Sequence, residues 1–140
     1  MGKIGISDVI INKTGKLTSD EYAMIKQHSA LGDAILEKIH MLPSLSTGAR
    51  HHHERYDGTG YPDNLKGTDI PKIARIIAVA DAYDAMTSKR SYRDIIPQEQ
   101  VREELINGMG TQFDPEYAKI MLDLMDLDVE YQMREMSTEV

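Results

Sequence analysis

The sequence predicts an all-α fold, and three observations support this class. Apolar residues recur at steps of three and four, residues that begin and end helices fall at regular intervals, and no convincing apolar–polar alternation indicates a strand. A length of 140 residues suits one domain, and 41% hydrophobic with 28% charged residues is typical of a globular protein. No apolar run is long enough to span a bilayer.

The first long helix is predicted to run from about Ser19 to Met41. Thr18 followed by Glu21 has the spacing of a capping box, in which each residue satisfies a backbone N–H of the other. The inward face of this helix is formed by residues at steps of three and four, namely Ile25, His28, Gly32, Ile35 and Ile39. His28 therefore belongs to the apolar stripe.

A second helix is expected to start near Leu45 and to contain His51 to Tyr56. It should end at Asp57-Gly58, because glycine favours the C-terminal cap of a helix. Residues 58–70 contain three glycines and Pro62, a composition that predicts a structured loop.

Three more helices are predicted, each opened by a proline. Pro71 suits the first turn of the third helix, on which Ile73, Ile77, Asp81 and Asp84 are expected to share the inward face. The other two helices are placed near residues 97–108 and 115–126, and Asp114 should cap the second of them. Residues 1–126 would form the domain, followed by an acidic, partly helical tail at 127–140.

A metal site is the chemistry that His28, His52, His53 and Asp81 suggest together. The sequence contains no cysteine, so a metal must bind His, Asp or Glu, and these donors suit iron, manganese or zinc. Adjacent helical residues point about 100° apart, so His52 and His53 would serve two neighbouring ions better than one. Asp81, on a face lined by Ile73, Ile76, Ile77 and Ala80, would be costly to bury unpaired, and a metal would offset that cost.

Structural roles compete with this interpretation. His28 could be a hydrogen-bonded core histidine, Asp81 and Asp84 could pair with Arg75, Lys89 or Arg90, and the three consecutive histidines could be exposed helix surface. Lys89, Arg90 and Arg93 could bind phosphate or form a solvated helix end. The net charge of −7 argues against a nucleic-acid polymer as partner but does not exclude a small anionic ligand.

The joint pattern resembles the HD-GYP family of metal-dependent HD phosphohydrolases. The matching stretches are residues 2–6, 26–28, 52–62 (HHERYDGTGYP), 80–88 (ADAYDAMTS) and 112–115 (QFDP). The resemblance implies an HD-type bundle of about five helices that binds two or three ions, usually iron or manganese, and opens cyclic di-GMP to pGpG or GMP.

The resemblance also implies roles for individual residues. His28, His52, His53 and Asp81 match metal ligands of the family. Lys3 matches a phosphate-binding position and is taken as the catalytic candidate, Arg90 and Arg93 match further phosphate-binding positions, and Tyr61 matches an aromatic position at the substrate. The Gly60-Tyr61-Pro62 segment would border the site and contact partners such as a diguanylate cyclase or another signalling domain.

The sequence departs from the family pattern at its start. The His-Asp pair that names the family would lie just before Met1, and none of the five histidines here is followed by Asp. We therefore expect a C-terminal part of such a domain, truncated before the pair, with an incomplete metal set and little or no activity alone. We also expect self-association, which would cover apolar faces left without a partner.

Two alternatives remain open, and both are compatible with the same residues. One is a non-catalytic module that docks partners through the Gly60-Tyr61-Pro62 segment, and the other is an HD-type hydrolase of a different nucleotide. The absence of cysteine and of a visible secretory signal is compatible with the cytoplasmic location that we expect.

Overall fold

The computed structural model describes residues 6, 8–11, 13–36, 43–88, 95–130 and 133. Its helices are the one-turn α1 (Asp8–Ile11), α2 (Ser19–Leu36), α3 (Pro43–His51), α4 (Lys72–Thr87), α5 (Gln98–Gly108) and α6 (Pro115–Leu127), with a 3-10 turn at Gly67–Asp69. Within these ranges the only β pairing is an isolated bridge between Met109 and Phe113. The predicted all-α class is confirmed.

None of the helices in the described part of the chain is both long and apolar enough to cross a membrane.

Helix α2 begins where the capping box predicts. Thr18 Oγ1 accepts a hydrogen bond from the Glu21 N–H at 3.2 Å, and Glu21 Oε2 accepts from the Thr18 N–H at 2.7 Å. The inward face is narrower than predicted, because only His28, Ser29 and Gly32 are buried while Ile35 is 45% exposed. Ile39 and the predicted helix end at Met41 lie outside the described residues.

The prediction that one helix contains His51 to Tyr56 is wrong, since α3 ends at His51. His52 N–H still donates to Gly48 O at 3.1 Å, but Glu54 N–H donates to His51 O at 2.9 Å in a tight turn. The cause is the buried Glu54, whose carboxylate binds the loop instead of extending the helix surface. It accepts from the backbone N–H of Asp63 at 2.6 Å and of Leu65 at 3.1 Å.

The loop between α3 and α4 is structured, as predicted. Gly58 has a φ of +86°, the left-handed conformation that glycine adopts without steric cost. Gly58 therefore sits in a turn of this loop and does not cap a helix. Gly60 is buried, and a Cβ there would collide with the backbone of His53, Glu54 and Arg55.

Helix α4 packs on two sides, and this explains why its predicted inward face is partly wrong. Ala74, Val79, Tyr83 and Thr87 are the buried residues, whereas Asp81 and Asp84 are exposed. Ile73 and Ile77 are half-buried and lie next to Gly48 of α3, where a Cβ would come within 2.8 Å of Ile77 Cδ1. Pro71 precedes the helix as its N-cap residue instead of lying in its first turn.

Helices α5 and α6 match the predicted ranges to within a residue and complete the core with α4. The core cluster consists of Val79, Tyr83, Ile96, Val101, Leu105, Phe113, Ala118, Leu122 and Met125. Asp114 caps α6 as predicted, accepting from the Glu116 N–H at 2.8 Å. Its other oxygen pairs with Arg75 Nη1 at 2.5 Å, which ties the start of α6 to α4.

Replacement of Gly60 by alanine should destabilise the fold by about 1–3 kcal/mol, because its Cβ meets backbone atoms that cannot rotate away. Thermal and urea unfolding would measure the loss. Gly15→Ala is the matched control, since a Cβ there meets nothing within 4 Å. Equal stability of the two variants would contradict the packing described for the loop.

Replacement of Asp114 by alanine should cost about 3 kcal/mol of unfolding free energy, because it removes a cap and leaves the Arg75 guanidinium, with 14% side-chain exposure, unpaired. Asp126→Ala is the control: Asp126 pairs with Arg102 while its side chain is 63% exposed, so the loss should stay within about 1 kcal/mol. Similar losses in urea unfolding for both variants would refute the assigned role of Asp114.

Candidate metal centre

Three histidines from two parts of the chain meet at one point. His28 lies on α2 and is 4% exposed, while His52 and His53 form the turn that follows α3. One nitrogen from each of the three rings lies within 4.8 Å of those of the other two. His28 Nε2 and His53 Nε2 are 3.0 Å apart, and the His52 and His53 ring centroids are 4.0 Å apart.

Backbone carbonyls fix the orientation of two of these rings. His28 Nδ1 is 2.5 Å from Ile25 O, and His52 Nδ1 is 2.8 Å from Ala49 O. A neutral imidazole that donates from Nδ1 has its lone pair on Nε2, and metal-binding histidines are commonly held by such a bond. Burial lowers the pKa of His52, which favours the neutral form that can bind a cation.

The His28 and His53 imidazoles are spaced to bind one shared cation, and His52 lies beside them. Two nitrogens that bind one ion at about 2.1 Å are roughly 3.0–3.4 Å apart in octahedral or tetrahedral geometry, and the 3.0 Å between His28 and His53 agrees with this. The helix on which we based the expectation of separate ions for His52 and His53 ends before them, so this expectation now rests on the resemblance alone. The number of ions that the resemblance implies stays a prediction.

Asp81 lines the same cleft but is not part of the three-histidine cluster. Its carboxylate raises the pKa of His52 in opposition to burial, and it contributes to the raised pKa of Tyr61. Asp81 is exposed, so the expectation of a costly buried carboxylate is wrong. Its role as a metal ligand remains a prediction based on its position at the cleft.

The cleft beside the histidines has a volume of about 360 Å³ and is lined by Tyr61, whose contact with a substrate stays a prediction. The Tyr61 ring stacks on His53 with a centroid distance of 5.0 Å and an interplanar angle of 23°. Burial raises the pKa of Tyr61 to about 12, so its phenol stays protonated at neutral pH. Tyr22 meets it edge to face at 6.3 Å.

Lys26 is a site residue to which the sequence reasoning assigned no role. Its Nζ lies 4.7 Å from the Tyr22 ring centroid and 5.4 Å from that of Tyr61. Tyr22 and Lys26 are four residues apart on α2, and His28 follows two residues later. The four-residue spacing was the available signal, because such residues are neighbours on a helix surface.

His51, the first of the three consecutive histidines, contacts the loop and is not part of the histidine cluster. His51 Nε2 is 2.9 Å from Asp63 Oδ2, and Arg50 Nε donates to the same oxygen at 2.9 Å. Arg50 Nη1 also reaches Asp33 of α2 at 3.3 Å, and Arg50 lowers the pKa of Asp63. This clasp joins α2, α3 and the loop, so it holds Tyr61 in place against His53.

The structural roles considered as alternatives to a metal or phosphate site can be compared with the observed contacts. Arg75 pairs with Asp114 instead of Asp81 or Asp84, and Asp84 accepts a hydrogen bond from Ser88 Oγ at 3.0 Å. The helix-surface interpretation is wrong for His52 and His53, which lie beyond the end of α3. The phosphate-binding candidates Lys3, Lys89, Arg90 and Arg93 lie outside the described residues, and their roles stay predictions.

Comparison with known proteins shows the relationship of this chain. A model of the HD domain family matches residues 1–117. The chain is 42% identical over 127 residues to a cyclic di-GMP phosphodiesterase of Thermotoga maritima, covering 89% of this chain and 34% of the relative. It is 41% identical over 128 residues to a 3'3'-cGAMP-specific phosphodiesterase of Vibrio cholerae, covering 90% of this chain and 24% of the relative.

The fold has a matching solved structure. A crystal structure of a cyclic GMP-AMP-specific phosphodiesterase of V. cholerae superposes with a TM-score of 0.64 at 19% identity, covering 90% of this chain and 33% of the other. The chain thus spans about a quarter to a third of the length of these relatives. With its helical fold and histidine cluster, the chain belongs to the HD domain family and is homologous to cyclic dinucleotide phosphodiesterases.

Proposed function

We propose that this chain forms part of the active site of a metal-dependent phosphodiesterase that hydrolyses cyclic di-GMP. The observation that carries the proposal is the convergence of His28, His52 and His53 nitrogens beside a cleft containing Tyr61. A divalent cation such as iron or manganese, bound by these imidazoles and Asp81, would lower the pKa of a coordinated water and stabilise phosphoryl charge.

The side chains of the cleft have properties that suit a phosphodiester. The protonated Tyr61 phenol can donate a hydrogen bond to a phosphate oxygen, and Lys26 places a positive charge over the same ring. Because the Tyr61 ring is stacked on His53, its position is set by the group that holds the cation. Phosphate and cation would therefore be kept at a fixed mutual distance.

Cyclic di-GMP is the substrate we favour because several relatives with about 40% identity are named cyclic di-GMP phosphodiesterases. In the reaction a water oxygen bonds to phosphorus, one ester P–O bond breaks, and the leaving ribose oxygen takes a proton. The product is linear pGpG, and a second hydrolysis gives GMP. Relatives named for 3'3'-cGAMP make that dinucleotide the nearest alternative.

Docking of a diguanylate cyclase or another signalling domain through Gly60-Tyr61-Pro62 remains a prediction. Gly60 is buried and the Tyr61 ring is stacked on His53, so this segment faces the site more than a partner surface. Self-association of the chain likewise remains a prediction, for which light scattering at increasing concentration is the test.

Replacement of His52 by alanine should weaken Mn²⁺ binding at least tenfold, because it removes one of three convergent nitrogen donors. Isothermal titration with Mn²⁺ would measure the affinity. His51→Ala is the matched control, since His51 is the adjacent residue but contacts Thr47 O and Asp63. Equal affinities for wild type, His51→Ala and His52→Ala would refute the site.

Hydrolysis is best tested in a chimera, because none of the histidines in this chain is followed by Asp. We expect the isolated chain with Mn²⁺ to convert little cyclic di-GMP. In the chimera, this chain replaces the matching 127-residue segment of the T. maritima phosphodiesterase. The chimera should produce pGpG in a metal-dependent way. His52→Ala should abolish this activity and His51→Ala should retain most of it.

One result would contradict the proposal, and a second would contradict only the expectation that the isolated chain has little activity. A folded, metal-loaded chimera without activity would show that this chain does not supply a working half-site. Rapid pGpG formation by the isolated chain would show that its own residues suffice and that the expectation of weak activity is wrong.

A further inference from the structure

One part of the cleft has no role in the proposed hydrolysis. Its floor consists of Ala78, Ala82 and Ala85, which lie at steps of four and three on α4, together with Phe113. Small side chains at this spacing leave a shallow apolar surface along one face of the helix. Such a surface suits a flat, weakly polar group and offers nothing to a phosphate.

Two polar residues, Arg55 and Gln112, line the cleft together with this floor. Arg55 Nε donates to Thr59 Oγ1 at 3.0 Å, and its Nη2 donates to Asp57 Oδ2 at 3.2 Å. These bonds use two of the five N–H donors of the guanidinium and hold its plane. In the described part of the chain the other guanidinium N–H groups have no hydrogen-bond partner, so they can serve a ligand.

The backbone keeps Arg55 and Gln112 in fixed relation. Tyr56 N–H donates to Gln112 O at 3.3 Å, and Asp57 N–H donates to Thr111 O at 2.8 Å. Phe113 is 4% exposed, and its ring fills the space that a side chain at Gly108 would need. The loop after α3 and the turn before α6 therefore form one wall of the cleft, assembled before any ligand arrives.

We propose that this part of the cleft is a guanine subsite, in which Arg55 donates to the O6 and N7 edge and the alanine floor with Phe113 packs against the ring. Guanine presents two acceptors on that edge, which match the parallel donors of an arginine. Adenine presents an amino donor beside N7, and a guanidinium has no acceptor for it. The subsite rests on the proposed function and specifies which base the substrate has there.

Titration with GMP and AMP tests the subsite in the isolated chain, because the two ligands share the phosphate and differ in the base. We expect the affinity for GMP to be at least about tenfold higher than the affinity for AMP. In chain labelled at alanine methyl groups, GMP should shift the NMR signals of Ala78, Ala82 and Ala85.

Arg55→Lys keeps the charge but loses the planar fork, so it should reduce the GMP preference to about twofold or less. Arg102→Lys is the matched control, since Arg102 pairs with Asp126 between α5 and α6 and should leave the preference unchanged. Gln112→Ala provides a second variant should the loop not tolerate the first. Its side chain is exposed, so the fold should persist while GMP binding weakens.

Equal binding of GMP and AMP, no binding of either, or an unchanged preference in both Arg55→Lys and Gln112→Ala would overturn the subsite. These outcomes are separate from failure of the proposed function. If the chimera is active but its preference for GMP is unchanged in Arg55→Lys, the proposed hydrolase function stands and the guanine subsite is rejected. If the preference for GMP depends on Arg55 but the chimera is inactive, the subsite stands and the proposed function is rejected.

Discussion

The structure of the site depends on the tight turn at His52 and His53, which directs both rings toward His28 of the preceding long helix. The buried Glu54 carboxylate fixes this turn by accepting two backbone N–H groups of the loop. A buried carboxylate must find such donors, because burial without them is costly. The histidine cluster, the position of Tyr61 and the wall formed by Arg55 all follow from this anchoring.

The polar groups around the cleft divide into those that hold the loop and those that can meet a ligand. Arg50, His51 and Asp63 form the clasp on the outside, while His52, His53 and Tyr61 face inward. A run of three similar residues therefore serves two purposes. The first histidine belongs to the clasp, and the rings of the next two lie beside the ring of His28.

Local signals in the sequence were sufficient for much of the fold. The capping box at Thr18 and the cap at Asp114 fixed helix starts correctly, because such caps depend only on nearby atoms. The end of α3 was misplaced because it is set by Glu54 and residues some ten positions later. The inward face of α4 was misjudged because this helix packs against α3 on one side and against α5 and α6 on the other.

His28, His52 and His53 could be identified as candidate metal ligands from residue type and resemblance, whereas the geometry of their rings could not be predicted. Their approach requires α2 to pack on the next helix, α3, which brings together residues 25 positions apart in the chain. Lys26 and the floor of alanines were missed for a related reason. Neither has distinctive chemistry until the tertiary structure places it beside an aromatic ring or a polar wall.

The most direct test of the central claim is a crystal structure of Mn²⁺-soaked protein with anomalous diffraction data. We expect an anomalous peak at coordination distance from the imidazole nitrogens of His28, His52 and His53, on the side of the cleft that contains Asp81. Density showing Mn²⁺ only at surface carboxylates, with the three rings bonded to one another, would contradict it.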